Sequence, residues 1–223
     1  MRNALSFLDD WKRYGTDPDI QKIREALDDL GHPERSFPLI HIAGTNGKGS
    51  TGTFLASILH EAGYTVGHFS SPHVQDFRER MRINGNNPSE NSFITAANTL
   101  KEKMPFLRNH ESLKAFTLQM FASFLLFQQE KVDVAIIEVG IGGRTDPTNV
   151  ISPTVTMITP IDFDHTARLG NTLSEIAWQK AGIIKKEVPV VIGVQQKEAM
   201  DVLLNEASEL DAPVFTIDDK TKL

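Results

Sequence analysis

Residues 41–51 read HIAGTNGKGST. Three glycines (Gly44, Gly47, Gly49), Lys48 and a Ser50-Thr51 pair within one short stretch are the materials of a phosphate cradle. Glycines let backbone N–H groups approach phosphate oxygens, and a lysine neutralises charge on a transferring phosphoryl group. The usual P-loop spelling is G-x-x-x-x-G-K-[ST]. Here Gly47-Lys48 supplies the G-K, but Ile42 stands where the first glycine belongs and Gly49 follows the lysine. Ser50 could supply the hydroxyl from one position later. The shifted spacing directs the search for metal ligands to other strand ends, and a plain Gly-rich turn is the competing reading.

Three further stretches put polar groups where apolar runs stop. In VDVAIIEVGIGGRTDPTN, Glu138 closes a buried-strand pattern, and Gly140, Gly142 and Gly143 keep side chains away from the space beside it. A carboxylate there is costly unless it is paired or bound to a cation. In TPIDFDHTARLG, Asp162, Asp164 and His165 follow another strand pattern; an imidazole is a softer donor than magnesium usually takes, and a capping role competes. In FSSPH, Pro72 biases Ser71 to an extended backbone that could bring its hydroxyl to a metal, or make a plain turn. Lys180, inside IAWQKAGIIKK, reads from its type as a solvated helical lysine, and His41 as a packed core histidine. Arg78, Arg80 and Arg82 lie close together, either on an exposed face or facing an anionic substrate.

These residues need a frame. Apolar runs at 37–43, 64–70, 132–140, 154–160, 188–193 and 213–217 read as strands, and ERMRINGNN alternates before an Asn84-Gly85 turn. Helical patterns cover 19–31, 50–63, 89–107, 113–129, 172–184 and 198–210. Strands alternating with helices of ten or more residues demand crossovers. The fold class is therefore α/β, a mostly parallel sheet with helices on both faces. In such a sheet the strand ends at Gly44–Ser50, Ser71, Glu138 and His165 share one edge, where ligands bind.

Composition narrows the field. The chain has 223 residues, a net charge of −6 and no cysteine. That leaves no electrostatic footprint for nucleic acid, no disulfide framework and no thiolate zinc site. The N-terminus is charged without an apolar h-region, and no apolar run is long enough to span a membrane, so a cytoplasmic protein is expected.

Taken together, HIAGTNGKGST, FSSPHVQDFRERMRINGN, EVGIGGRTDPTN, DHTARLG and IAWQKAGIIK resemble the folylpolyglutamate synthase / dihydrofolate synthase family, within the Mur-ligase-like ATP-dependent amide ligases. The match runs in order from about residue 5 to residue 193. The resemblance implies a P-loop NTPase-like fold of the Mur ligase central-domain type. It also implies ligation of L-glutamate to a folate or pteroate through an acyl phosphate, with ADP and phosphate released. On that implication Thr45, Asn46, Gly47, Lys48, Gly49 and Ser50 bind ATP phosphates, while Ser71, Glu138 and His165 hold Mg2+. Lys180 is the position carbamylated in the family and acts in catalysis with Lys48 and His165. Asp146 lies at the pterin pocket, and Arg80 in a mobile loop near the active site.

The sequence departs from the family where an F-E pair is usual, reading Phe116-Thr117, and GRTDPTN stands for G-R-L-D-A-T-N. It also stops before the H-Q-x-N-A segment and the C-terminal Rossmann-like domain. It is therefore expected to be a truncated N-terminal ATP-binding domain whose full-length form is a monomer. Two other readings remain: a nucleotide-binding fragment without ligase activity, and a Mur-like ligase of a cell-wall precursor, which SPH and KAGIIK argue against.

Overall fold

A computed structural model describes residues 1–11, 19–108 and 110–217. The last six residues, DDKTKL, lie outside the described residues. The strands are β1 (Leu39–Ala43), β2 (Val66–Phe69), β3 (Met81–Ile83), β4 (Val134–Glu138), β5 (Val155–Ile158), β6 (Val190–Ile192) and β7 (Val214–Thr216). They form one sheet in the order β3-β2-β4-β1-β5-β6-β7, parallel throughout except where β3 pairs antiparallel with β2. The Asn84-Gly85 turn forms, with Asn84 and Gly85 both at positive φ, but it closes on a single bridge between Ile83 and Asn86. The ladder partner of β3 is the strand before it, not one after the turn.

The helices are α1 (Arg2–Asp9), α2 (Ile20–Leu30), α3 (Lys48–Glu61), α4 (Glu90–Lys103), α5 (Ala115–Gln129), α6 (Thr166–Leu169), α7 (Leu173–Ala181) and α8 (Lys197–Glu209). The stripe Ile20, Ile23, Leu27, Leu30 forms α2, which ends on Gly31 at φ 81°. The sequence reading included neither α1 nor α6: α1 buries Ala4 and Leu8 on one face but is only eight residues long, and α6 is a single turn with no period to read. No described helix is long and apolar enough to cross a membrane.

Pairing register assigns the two faces. Leu39, Phe69, Ala135 and Ile137 point into a core built with α1, α2, α4 and α5. Ala43, Ile158, Val190 and Ile192 lie on the same side, under α7 and α8. Ile42, Val66 and Ile136 point the other way, where they meet Ala56 of α3. Among the described helices α3 stands alone on that face, and its outer residues Phe54 and Ile58 are exposed. α5 is buried nearly all round, as its uniform hydrophobicity predicts. It sits so close to β2 that a side chain on Gly67 would strike the Phe127 ring at 2.8 Å.

Two histidines are sealed into this frame. His41 on β1 is fully buried, as its position inside a strand suggests, and its pKa falls to about 3 through desolvation and then Lys185. His68 on β2 falls to about 4 through desolvation and then Arg82. A depressed histidine adds stability above its unfolded pKa near 6.5 and loses it as pH falls toward the folded value. Urea titrations at pH 7 and pH 5 are therefore expected to show a loss of about 2 kcal/mol for each of the two histidines. Glu138, at the end of β4, gains stability over the same window, so the histidine effect is read as the difference from His68→Gln, and the same pH dependence in variant and wild type would reject neutral burial of His68.

Candidate active site

The carboxyl ends of β1, β2, β4 and β5 lie on one edge, as the parallel order requires. β1 runs into the turn at residues 44–47 and then into α3, whose N-cap Gly47 sits at φ 83° with no side-chain cap. The N–H groups of the first helical turn have no intrahelical acceptor, so Lys48, Gly49 and Ser50 present donors and the positive end of the helix dipole. The turn is clipped to the loop after β5: the N–H groups of Thr45 and Asn46 both donate to Pro160 O. Thr45 Oγ1 donates to Asp162 O at 2.9 Å and accepts from Asp162 N at 3.1 Å. Thr45 and Asn46 thus commit their backbone N–H groups to the loop after β5, while the N–H groups of the helix start stay open to an anion.

Glu138 ends β4 and is 4% exposed. Ser71 N–H, from the loop after β2, donates to its carboxylate, so two of the expected strand ends meet. A Cβ placed on Gly49 would lie 3.6 Å from Glu138 Oε2, so the cradle meets the same carboxylate. Oε2 is buried without a hydrogen-bond partner. Burial raises the Glu138 pKa to about 7, against the lowering effect of Lys48 and the Ser71 N–H. A hard cation fits this arrangement, because it would satisfy the orphaned oxygen and suits a carboxylate donor.

Lys180 is buried, 2% exposed, contrary to the solvated role its residue type suggests. Its Nζ donates to Gly44 O at 2.7 Å. Lys48 Nζ donates to the same oxygen at 3.1 Å and to Thr45 O at 3.3 Å. Desolvation first, and then the Lys48 charge, lower Lys180 to about 8. About a tenth of the Lys180 side chain is then neutral at pH 7, enough to react as an amine.

His165 takes a different position. It is the N-cap of α6 at φ 48°, its side chain is half exposed, and Nε2 lies 3.6 Å from Asp164 Oδ2. No hydrogen bond joins it to Glu138 or Ser71 among the described residues, although Asp164 acts electrostatically on Lys180. Asp146 is fully enclosed: Oδ2 accepts from Gly140 N and Ile141 N, each at 2.9 Å, and Oδ1 from Thr148 N at 3.0 Å and from the Thr148 hydroxyl. Burial raises its pKa against those four donors.

The arginine cluster is mostly neutralised within its own loop. Arg78 pairs with Asp76 at 2.7 Å, and Arg82 lies 3.8 Å from Glu79. Arg80 donates to His73 Nδ1 at 2.8 Å and lies over the Phe77 ring. Glu79 ties residues 74–76 by their backbone N–H groups. Thr148 was missed as the partner of Asp146. For Thr148 a local signal existed, since Asp146-Pro147-Thr148 reads as a capped helix start with proline at its first position.

Glu138 supplies a pH-dependent prediction. Its raised pKa makes stability complete below about 4.5 and lost as pH rises through 7. At pH 8 without divalent cation, Glu138→Gln is expected to be more stable than wild type, by up to about 3 kcal/mol. Added Mg2+ should raise the melting temperature of wild type and leave the variant unchanged. Equal Mg2+ stabilisation of both would place the cation elsewhere.

Residues 42–223 match the family described as the Mur ligase middle domain. Over 221 residues the chain is 41% identical to the dihydrofolate synthase/folylpolyglutamate synthase of Bacillus subtilis, covering 98% of this chain and 51% of that protein. It also superposes on Mycobacterium tuberculosis folylpolyglutamate synthase complexed with ADP, at a TM-score of 0.88 and 36% identity. That match covers 98% of this chain and 50% of the other. An FPGS complex with AMPPCP and folate superposes at a TM-score of 0.92 with 33% identity, covering 98% of this chain and 54% of that one. The chain spans about half the length of the relatives it matches.

Proposed function

The chain belongs to the Mur ligase middle domain family, and on that premise we propose that it is the ATP-binding part of a ligase that joins L-glutamate to a folate or pteroate. The observation that carries this reading is the edge itself. An uncapped helix start, two lysines on one carbonyl and a buried carboxylate with an orphaned oxygen face one another there. The relatives named as dihydrofolate or folylpolyglutamate synthases, and the solved complexes with ADP or with AMPPCP and folate, support the substrate class.

In the proposed reaction a folate carboxylate oxygen attacks the γ-phosphorus of ATP and the bond to ADP breaks. The glutamate amine then attacks the acyl carbon, loses a proton and expels phosphate, leaving an amide. No protein nucleophile is needed, so the work is positioning and charge stabilisation. The N–H groups of the first turn of α3 hold phosphate oxygens, with Thr45 and Asn46 bracing the turn. Lys48 leaves its two backbone carbonyls to meet the developing charge. Glu138 with Ser71 would hold Mg2+, with His165 approaching from α6, and the ion would supply neutralisation of phosphate charge. The neutral fraction of Lys180 makes it the amine for carbamylation. Asp146 would act on the pterin through the loop it orders, and Arg80 on an anionic substrate group once released from His73.

Because the chain spans half of its relatives' length, binding and turnover are separate measurements. Calorimetry of residues 1–223 with Mg-ATP is expected to show saturable binding, and its absence would overturn the nucleotide reading. Incubation with ATP, a reduced folate and labelled glutamate tests ligation. Glutamate incorporation that does not depend on folate would overturn the substrate reading.

A further inference from the structure

We propose that Thr148 and His41 are positioning residues for this edge: His41 fixes the direction of the Thr148 hydroxyl, and that hydroxyl fixes the carboxylate that holds the Gly140–Ile141 peptide beside Glu138. The argument begins with donors. Asp146 accepts three backbone N–H groups, from Gly140, Ile141 and Thr148, and these can only donate. Its remaining partner is the Thr148 hydroxyl, which has one proton and gives it to Oδ1. Thr148 Oγ1 also lies 2.8 Å from His41 Nε2. With its proton committed to Asp146, the hydroxyl can only accept from the ring, so His41 must carry its proton on Nε2. Nδ1 of His41 is buried with no partner, which is where a bare nitrogen belongs in this tautomer.

The chain of bonds therefore has one direction, from β1 through Thr148 to Asp146. It ends at the loop between the two groups that matter most. Gly140 follows Glu138 by two residues, and Arg144 N donates to Gln179 O of α7 at 2.6 Å. A Cβ on Gly143 would sit 2.9 Å from the backbone oxygens of Gln179 and Lys180, so the loop is seated directly on the Lys180 backbone. A shift of Asp146 would move the peptide after Glu138 and the seat of Lys180 together. Carboxyl, hydroxyl and imidazole are all closed to solvent, so no water can replace a missing member without rearrangement.

The nucleotide arm of the test rests on the function proposed above; the structural arm does not. In nitrogen-15 spectra of residues 1–223 at neutral pH, His41, assigned through its own backbone, is expected to be protonated at Nε2 and bare at Nδ1. Thr148→Val keeps the shape and removes the hydroxyl. Amide exchange at Gly140 and Ile141 is then expected to quicken about tenfold, the scale of one lost buried hydrogen bond. Thr148→Ser should restore it to within about twofold. Mg-ATP affinity should fall about tenfold in Thr148→Val and recover in Thr148→Ser.

An Nδ1-protonated His41 in wild type, unchanged Gly140 and Ile141 exchange in Thr148→Val, or failure of Thr148→Ser to restore it would overturn the proposal. So would unchanged Mg-ATP affinity in Thr148→Val beside a wild type that binds. If Thr148→Val does not fold, the wild-type tautomer and the Thr148→Ser exchange decide. If wild type binds no Mg-ATP, the nucleotide reading fails while the tautomer and exchange results still decide the positioning role.

Discussion

Lys48→Met is expected to weaken Mg-ATP binding about 100-fold, with the melting temperature unchanged or raised. A charged hydrogen bond to phosphate is worth up to about 3 kcal/mol, and each 1.4 kcal/mol is about tenfold in affinity. Without ligand, Lys48 Nζ rests on the carbonyls of Gly44 and Thr45, where Lys180 already occupies Gly44 O. Two ammonium groups on one oxygen repel, so methionine removes a repulsion from the free protein and an attraction from the complex. The Lys180 pKa should rise above about 8 once its positive neighbour is gone, and the Glu138 pKa should rise above about 7 once it loses its attracting charge. Calorimetry and a melting curve on the same preparation separate the effects. Affinity within about threefold of wild type would mean that Lys48 does not meet the phosphates.

Gly44→Ala should be the most damaging small substitution in the cradle. Gly44 has φ +145°, a backbone region that side chains rarely adopt. A Cβ there would fall 1.8 Å from Thr159 Oγ1 and 2.9 Å from both Thr159 Cβ and the Thr159 backbone oxygen. The hydroxyl could rotate away, but the carbonyl belongs to the loop that braces Thr45 and Asn46 and cannot. A loss of about 4 kcal/mol follows from backbone strain plus overpacking, which for a chain of this size lowers the melting temperature by roughly 10 °C. Adding Thr159→Ala should recover less than half of that, because the two 2.9 Å contacts and the φ remain. Full recovery would locate the problem in the hydroxyl alone. Because Gly44 O receives both lysines, any surviving protein should also bind nucleotide poorly.

Both substituted positions are readable in the sequence. Lys48 belongs to a local pattern: strand, glycines, lysine, helix. The turn and the uncapped helix start follow from neighbours in sequence, so the cradle is legible without coordinates. Glu138 is legible for a similar reason, as a carboxylate ending an apolar run. Its meeting with Ser71 follows once the strands are parallel.

Lys180 is the opposite case. On α7 the residue type predicts an exposed Lys180, whereas the lysine is 2% exposed and the neighbouring Trp178 49%. Nothing local to α7 reports this. The Trp178 ring lies under the Arg144 guanidinium, 4.1 Å from its centroid, and Lys180 faces a carbonyl 136 residues earlier in the chain. Only the resemblance to the folate ligases signalled a role for it. Asp146 likewise entered only through that resemblance, and the commitment of both its oxygens to Gly140, Ile141 and Thr148 was not visible in the sequence. Nor could the chain reveal that Thr45 and Asn46 spend their backbone N–H groups on Pro160, or that His165 caps α6 with its side chain half exposed.

By itself, then, the sequence determined most of the strands and the longer helices, that the sheet is mostly parallel, and that phosphate chemistry belongs at one edge. Those properties rest on backbone conformation and side-chain periodicity, which are set within a few residues. Tertiary structure alone decided which lysine is desolvated, which carboxylate keeps a vacant oxygen and which way the His41 proton points. Each of these depends on what packs against a group from distant parts of the chain. The energy of a buried charge or hydrogen bond is set by those neighbours and by the water they exclude.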